Sequence, residues 1–423
     1  MVQFVFMPRA GWTKPVSERR LSDLVSVGVL TRTFPPEVVD AVVAEAGRTE
    51  QRNRSLPARV MAYFAIGMAL HSEGSYEDVL GLLTDGLAWT EPGVEPVKLP
   101  SKSAIFQARA RLGSEPLRAL FERVATPLAE PGLSGCWLAG RRMVAIDGTT
   151  LDVADTEANA ELFGRPGVNK GEQAAFPQAR LVAVAECGTH AVFDAAVGSY
   201  GTGENTLAGE VIGRLEPGMV LLADRGFCGY PLWSKAAATG ADLLWRAMSN
   251  MKPRPIETLA DGSWLAELRP SGNAGRNADP LTIRVVDYEI DDGRTNDNAY
   301  RLFTTILDPD EASAEDLALA YSQRWEIESV FDELKVHQRG PRTVLRSKSP
   351  ELVLQEIWGH LCCHLAIRTL MWEAAGHAQV DPDRVSFVAA LRIARRSIAG
   401  ARAYSPEATD HGCTTRSPCC AND

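Results

Sequence analysis

The chain has 423 residues, 45% of them apolar and 23% charged, and carries a formal net charge of −10. That length holds two or three domains with at least one sizeable core, and the composition is that of an ordinary globular protein. No apolar run approaches the ~18 residues of a membrane span, and Met1 to Trp12 offers no sustained apolar stretch before Arg9 to act as a signal peptide, so a cytoplasmic protein is expected.

Eight cysteines are scattered along the chain without a CxxC pair, which excludes a zinc site of that type and gives no disulfide framework. The acidic balance argues against nucleic-acid binding only if charge is averaged. No acid lies between Leu334 and Pro350, where Lys335, Arg339, Arg342, Arg346 and Lys348 cluster. Arg384 to Pro406 is also acid-free and holds Arg384, Arg392, Arg395, Arg396 and Arg402. Local density of this kind serves phosphate contacts, and it equally serves solvated helix faces.

Residues 1 to about 135 read as helical. Pro35-Pro36 precedes a helix from Glu37 to Ala46, with acid in its first turn. Further helices are expected over Leu56–His71, Ser75–Leu83, Ser101–Leu112 and Glu115–Leu128. Lys102, Arg109 and Arg111 make the Ser101 segment either a DNA-reading helix or an ordinary amphipathic one. Near Cys136 the pattern changes to strands: Arg142–Asp147, Ala179–Ala185, Ala191–Val197, Met219–Asp224 and Leu243–Met248, with helices at Glu204–Leu215 and Tyr230–Thr239. Between 249 and 312, Pro and Gly punctuate alternating runs such as Leu281–Tyr288 and Tyr300–Leu307, which predicts an inserted β-rich lobe. Ala314–His337 and Glu351–Ala375 read as helices, and the polar, aperiodic 405–423 as a disordered tail.

Two apolar strands are expected to end on carboxylates, at Ile146-Asp147-Gly148-Thr149 and Ala223-Asp224-Arg225-Gly226-Phe227. Ligands of α/β folds bind at such strand ends, although an Asp in a turn also serves simply to cap it. Tyr321, Arg324, Glu328 and Lys335 follow at offsets 3, 7 and 14 on one predicted helix. At about 100° per residue they fall within roughly 60° of arc, a stripe too polar for a core seam that reads either as a functional face or as a salt-bridged, solvated one. Asp332 projects close by as a rival carboxylate, and Trp325 reads either as a functional aromatic or as a packed core indole.

This constellation resembles the insertion-sequence 4 family of DDE transposases. The family motif Y-(2)-R-(3)-E-(6)-K is met at every spacing by Tyr321, Arg324, Glu328 and Lys335, with Asp147 in Asp-Gly-Thr and Asp224 in Asp-Arg-Gly-Phe. Trp325 matches an aromatic position near the DNA in hairpin-forming members. The resemblance implies an α/β fold with an RNase H-like catalytic core, an inserted β-rich lobe and a helical N-terminal domain. The expected division is 1–135 for DNA binding, 136–248 and 313–404 for the core, 249–312 for the lobe and 405–423 for the tail.

Asp147, Asp224 and Glu328 are then the catalytic acids and metal ligands, expected to hold two Mg²⁺ ions with Mn²⁺ as a substitute. Tyr321, Arg324, Trp325, Lys335, Arg225, Arg339, Arg342, Arg346 and Lys348 are expected to contact DNA. The implied partners are double-stranded DNA, as element ends and target, and a second copy in a synaptic homodimer, with no membrane; the place of action is nucleoid-associated. Three other readings stay open: an RNase H-like nuclease that cuts without rejoining, a transposase-derived DNA-binding protein with impaired catalysis, which the atypical tail motivates, and a carboxylate-pair glycosidase.

Overall fold

The computed structural model describes residues 28–51, 55–85, 100–167, 174–248, 250–270, 279–289, 299–341 and 343–399. The chain divides into two units, one from Met1–Val124 with Glu333–Asp423 and the other from Ala125–Asp332. Arg342 and the 405–423 tail lie outside the described residues.

The first unit opens with α1 (Gly28–Thr33) and α2 (Pro36–Glu45), which starts on Pro at its first turn. Next comes α3 (Ala58–Leu70), buried at every position but Arg59. A helix apolar all round belongs in a core rather than on a surface. Beyond it lie α4 (Tyr76–Asp85), α5 (Lys102–Leu112) and α6 (Glu115–Val124). Ser101 caps α5 by accepting from the Ala104 amide at 3.3 Å, and Gly113 ends the helix at a φ of +74°.

In the second unit a single mixed sheet is built from β1 (Trp137–Leu138), β2 (Arg141–Asp152), β3 (Gln178–Glu186), β4 (Val192–Ser199), β5 (Met219–Ala223), β6 (Asp242–Arg246), β7 (Arg254–Thr258), β8 (Trp264–Leu268), β9 (Leu281–Glu289) and β10 (Ala299–Thr304). Its order is β4-β3-β2-β5-β6-β10-β9-β8-β7, with β1 beside β2. The three central strands β2, β5 and β6 are parallel and every other pairing is antiparallel. Met219–Ala223 is buried along its whole length, as a central parallel strand covered on both faces must be. Helices α7 (Glu157–Phe163), α8 (Glu204–Val211) and α9 (Tyr230–Ala237) intervene, and α9 seats Trp233 against Trp245 at 5.1 Å between ring centroids. Strands β7 to β10 continue the sheet outward from β6 through the β6–β10 pairing.

Two expectations are corrected here. Strand β2 does not stop at Asp147: it stays paired with β3 as far as Asp152↔Gln178, so Asp-Gly-Thr is strand and not turn. The 314–337 segment is not one regular helix. It runs as α10 (Ala314–Ser322), a 3-10 turn over Gln323–Trp325, α11 (Glu326–Asp332) and then a π-helical turn over Glu333–Gln338. The tight and wide turns change the residues per turn, so equal steps of about 100° do not apply along it. Elements that the sequence pattern does not announce include α1, α7 and a last helix over Phe387–Ala399.

The first unit resumes at that π-helical turn, followed by α12 (Pro350–Ala378) and α13 (Phe387–Ala399). The turn is tied to α12 by Glu333, whose carboxylate lies 2.9 Å from His364 Nε2 and 2.9 Å from Arg368 Nε. His360, His364, Cys362 and Cys363 are all buried. α12 crosses α3 so closely that a Cβ on Gly359 would lie 2.7 Å from the Ala65 carbonyl oxygen, and only glycine permits that approach.

Candidate active site

Neighbouring parallel strands β2 and β5 are in register at Ile146↔Ala223, so the next residue of each is an aspartate, Asp147 and Asp224. Pairing with β5 ends there, while β2 keeps Asp147 opposite Ala183 of β3. Asp147 is therefore held by a strand on one side and opens on the other, at the carboxyl ends of the parallel strands where α/β sheets bind ligands. Its Oδ1 accepts from the Gly148 amide at 2.8 Å. Gly148 also serves a close approach: a Cβ there would stand 2.9 Å from Glu204 Cδ.

The third acid arrives on the segment that begins with α10. Ser313 and Asp316 close a capping box at its start. Asp261, between β7 and β8, accepts from the Ala314 amide at 2.9 Å and pairs with Arg284 of β9. Arg284 is fully buried and donates to Ser263 Oγ at 2.7 Å, Ala312 O at 2.7 Å and Asp308 O at 3.3 Å. Its fork thus fixes the approach to the helix.

From that anchored start the polar stripe meets the sheet. The Tyr321 hydroxyl lies 3.5 Å from both Asp224 Oδ1 and the Ala223 carbonyl oxygen. Arg324 places Nη2 3.1 Å from Glu328 Oε1 and Nη1 3.8 Å from Asp147 Oδ2. Arg324 Nε is buried and has no acceptor among the described residues. Glu328, itself exposed, shares this guanidinium four residues along the chain.

Burial pushes the Asp147 carboxyl up to about 6, and nearby Glu328 and Glu204 push the same way, while the Gly148 amide and Arg324 oppose them. Burial also raises the Tyr321 hydroxyl, which stays protonated and able to donate. Arg324 stays charged, because Tyr321, Glu328 and Asp224 outweigh its desolvation. The site therefore gathers three carboxylates about one guanidinium, and the excess of hard anionic oxygens suits a divalent cation. Oxygens of Asp147, Asp224 and Glu328 do not all lie within 4.8 Å of one another, whereas a single Mg²⁺ at about 2.1 Å from each ligand needs them closer.

Trp325 is 55% exposed and so is not a packed core indole; its ring lies 4.5 Å from the Arg324 guanidinium carbon. Arg225 and Lys348 are exposed, and Lys335 is half-buried on the π-helical turn. Arg339 is buried and donates to the Thr343 carbonyl, while Arg346 donates to the Gly74 carbonyl at 2.7 Å and lies over Tyr76. Sequence reasoning missed Glu204 and Arg180, which pair at 3.0 Å beside Gly148. Glu204 opens α8 as an acid in a first turn, which reads locally as ordinary helix-end chemistry. No sequence signal separates it from that.

The sequence that builds this sheet and its two neighbouring aspartates matches known families. Residues 138–366, more than half of the chain, match the family described as Transposase DDE domain, and the chain belongs to that family. Membership implies an enzyme that cuts and transfers DNA and uses divalent metal ions. Residues 24–122 match the Insertion element 4 transposase N-terminal family. The chain is 29% identical over 374 residues, 88% of its own length and 83% of the relative's, to transposase InsG for insertion sequence element IS4 of Escherichia coli K12. A second protein of that organism, named "Putative transposase InsZ", is 27% identical over 57% of this chain and 78% of its own length. Among the described residues no helix is long and apolar enough to cross a membrane.

Proposed function

We propose that this transposase cleaves DNA and rejoins it at insertion-sequence ends, with Asp147, Asp224 and Glu328 as the acids that hold Mg²⁺. One observation carries the reading: residues from two strands and a distant helix converge, so that Arg324 reaches both Asp147 and Glu328 while Tyr321 reaches Asp224. When bound, a pair of Mg²⁺ ions supplies activation of the attacking hydroxyl and stabilisation of the leaving oxygen.

The protein's own groups do the rest. Tyr321 donates to Asp224 and holds its carboxylate orientation. Arg324 Nε, desolvated and without an acceptor, is a ready donor for a phosphate oxygen beside the scissile bond. Trp325, exposed beside that guanidinium, offers a stacking surface for an extruded base. Arg225 adds a phosphate contact in the same unit, Lys335 and Lys348 are phosphate contacts of the other unit, and Arg339 and Arg346 brace that unit through internal carbonyls.

The strand order β4-β3-β2-β5-β6, an antiparallel hairpin beside three parallel strands, supports an RNase H-like core, and β7 to β10 correspond to the insertion. A helical N-terminal DNA-binding domain, a homodimer that synapses two ends, and action at the nucleoid in the cytoplasm complete the proposal.

The test is cleavage of DNA carrying the element's ends with Mg²⁺. Asp147→Ala, Asp224→Ala and Glu328→Ala should each abolish cutting with binding largely kept, whereas Asp332→Ala should be mild. An Asp332→Ala enzyme as inactive as Glu328→Ala would overturn the third assignment. End-specific binding by the unaltered chain with no metal-dependent cleavage would mark it as a DNA-binding relative without catalysis.

A further inference from the structure

We infer that the solvent face of α5 is the surface through which the N-terminal unit reads duplex DNA in a major groove. The inference rests on the chain acting on DNA ends and adds to it a recognition element. α5 is fastened from behind by Arg109, one of the cations that made this helix a candidate for DNA. Arg109 is fully buried, donating to Gln355 Oε1 at 2.9 Å, the Tyr76 hydroxyl at 2.5 Å and Ser347 Oγ at 3.2 Å. Gln355 returns its amide to the carbonyls of Arg109 at 3.0 Å and Gly113 at 2.6 Å. Ile105, Ala108 and Leu112 are buried on the same side. A helix clamped at its carboxyl end by a satisfied polar network presents its other face rigidly, as a recognition element requires.

That other face consists of Lys102, Ser103, Phe106, Gln107, Ala110 and Arg111, all exposed, with Phe106 at 46%. In a chain with 54 acids and a net charge of −10, no acid occurs from Val97 to Ser114. Glu351, near the helix end, is engaged by the Ser114 amide at 2.6 Å and hydroxyl at 2.9 Å. The two cations stand nine residues apart, about 14 Å along the axis, which compares with a major groove about 12 Å wide. They can therefore meet phosphates on both walls while the residues between face base edges. A glutamine has the bidentate geometry for adenine, and a phenyl ring makes apolar contact with a thymine methyl. Local charge complementarity and these two side chains together select DNA over a protein partner.

The full chain should be titrated by gel shift against a labelled duplex carrying the DNA that flanks its own coding sequence, and against a scrambled duplex, over a salt series. Lys102→Ala/Arg111→Ala should weaken both complexes and lower the log–log salt slope by about 2, near 0.9 per phosphate contact. Gln107→Ala should leave the slope alone and cut the preference for the end duplex by roughly 5- to 150-fold. Arg118→Ala, an exposed cation on α6, is the control and should change neither. Unchanged slope and preference in the α5 variants would overturn the inference, as would an equal loss in Arg118→Ala. So would Phe106→Ala converting a dimer to a monomer in sedimentation without altering DNA binding. If the unaltered chain cuts the end duplex while every α5 variant binds and cuts as it does, the inference fails and the transposase reading stands.

Discussion

Replacing Arg284 by methionine tests how the third carboxylate is held in place. The guanidinium is fully buried and engages Ser263 Oγ, the Ala312 and Asp308 carbonyls and Asp261, whose carboxylate also accepts the Ala314 amide at the start of α10. Methionine keeps much of the apolar stem but leaves the buried Ser263 Oγ and Ala312 carbonyl without their donor and takes the counter-charge from Asp261, which keeps its bonds from Ser263 and Ala314. Leaving two buried acceptors unsatisfied, at about 1–3 kcal/mol each, costs roughly 3–5 kcal/mol. At roughly 2–4 °C per kcal/mol for a unit of this size, that lowers the melting temperature by about 6–20 °C. The Asp261 carboxyl sits below its ordinary value: burial works against this, but hydrogen bonds from Ser263 and Ala314 and the charge of Arg284 prevail.

The assay is a thermal melt in chelator, followed by Mn²⁺ titration and cleavage at a temperature where each variant is folded. Arg284→Met should lose metal affinity and cutting at that temperature, because α10 starts from a displaced anchor. Arg284→Lys should recover part of both. Combining Arg284→Met with Asp261→Ala should not restore stability, since Asp261 also accepts from Ser263 and from the Ala314 amide, and it should leave metal affinity low. A methionine variant melting within about 3 °C of the parent, under the ~1 kcal/mol this size allows, and binding Mn²⁺ normally would refute the reasoning.

His71, in the first unit, has its pKa lowered to about 4 by burial and by neighbouring Arg395. The unfolded chain therefore takes up the proton first, and this histidine's stabilising contribution is complete above about pH 6.5 and lost as pH falls towards 4. By linkage that amounts to at most about 3 kcal/mol, reduced by solvent screening of a half-buried ring; urea melts across this range should show the loss, and His71→Gln should flatten it. Gly359→Ala and Gly148→Ala should differ in cost. The first forces a methyl to 2.7 Å from the Ala65 backbone oxygen, whereas the second meets only the flexible end of Glu204. Overpacking of about 1–3 kcal/mol or more is expected at 359, and little stability loss but slower cleavage at 148, read by melting and by nicking rate. Trp325→Ala should stay within about 0.5 kcal/mol of the parent in stability, as an exposed substitution does, yet slow the steps after first-strand nicking in a time course resolved on denaturing gels.

Much of the site is legible in local sequence patterns. These are the spacing of Tyr321, Arg324 and Glu328, the buried run Met219–Ala223 and the acids that follow or close the two strand cores; burial of a short apolar run is itself a local consequence of composition. The offsets of the motif hold even though the helix that carries them changes pitch twice, because Arg324 and Glu328 lie four residues apart, side by side on a helix surface. The alternation within 281–304 likewise announces β9 and β10.

What the chain by itself determined, then, is which residues are acidic, buried or turn-forming, since those properties follow from a side chain and its near neighbours. Only the tertiary structure decided that β2 runs on past Asp147, that Arg109 and Arg339 face inward, that Glu204 leans on Gly148 and that Arg284 fastens the start of α10. Each of these joins groups far apart in sequence, or turns on which face of an element meets the core. A hydrogen bond across such a gap leaves no periodic trace, and its energy exists only once both partners have been taken out of water together.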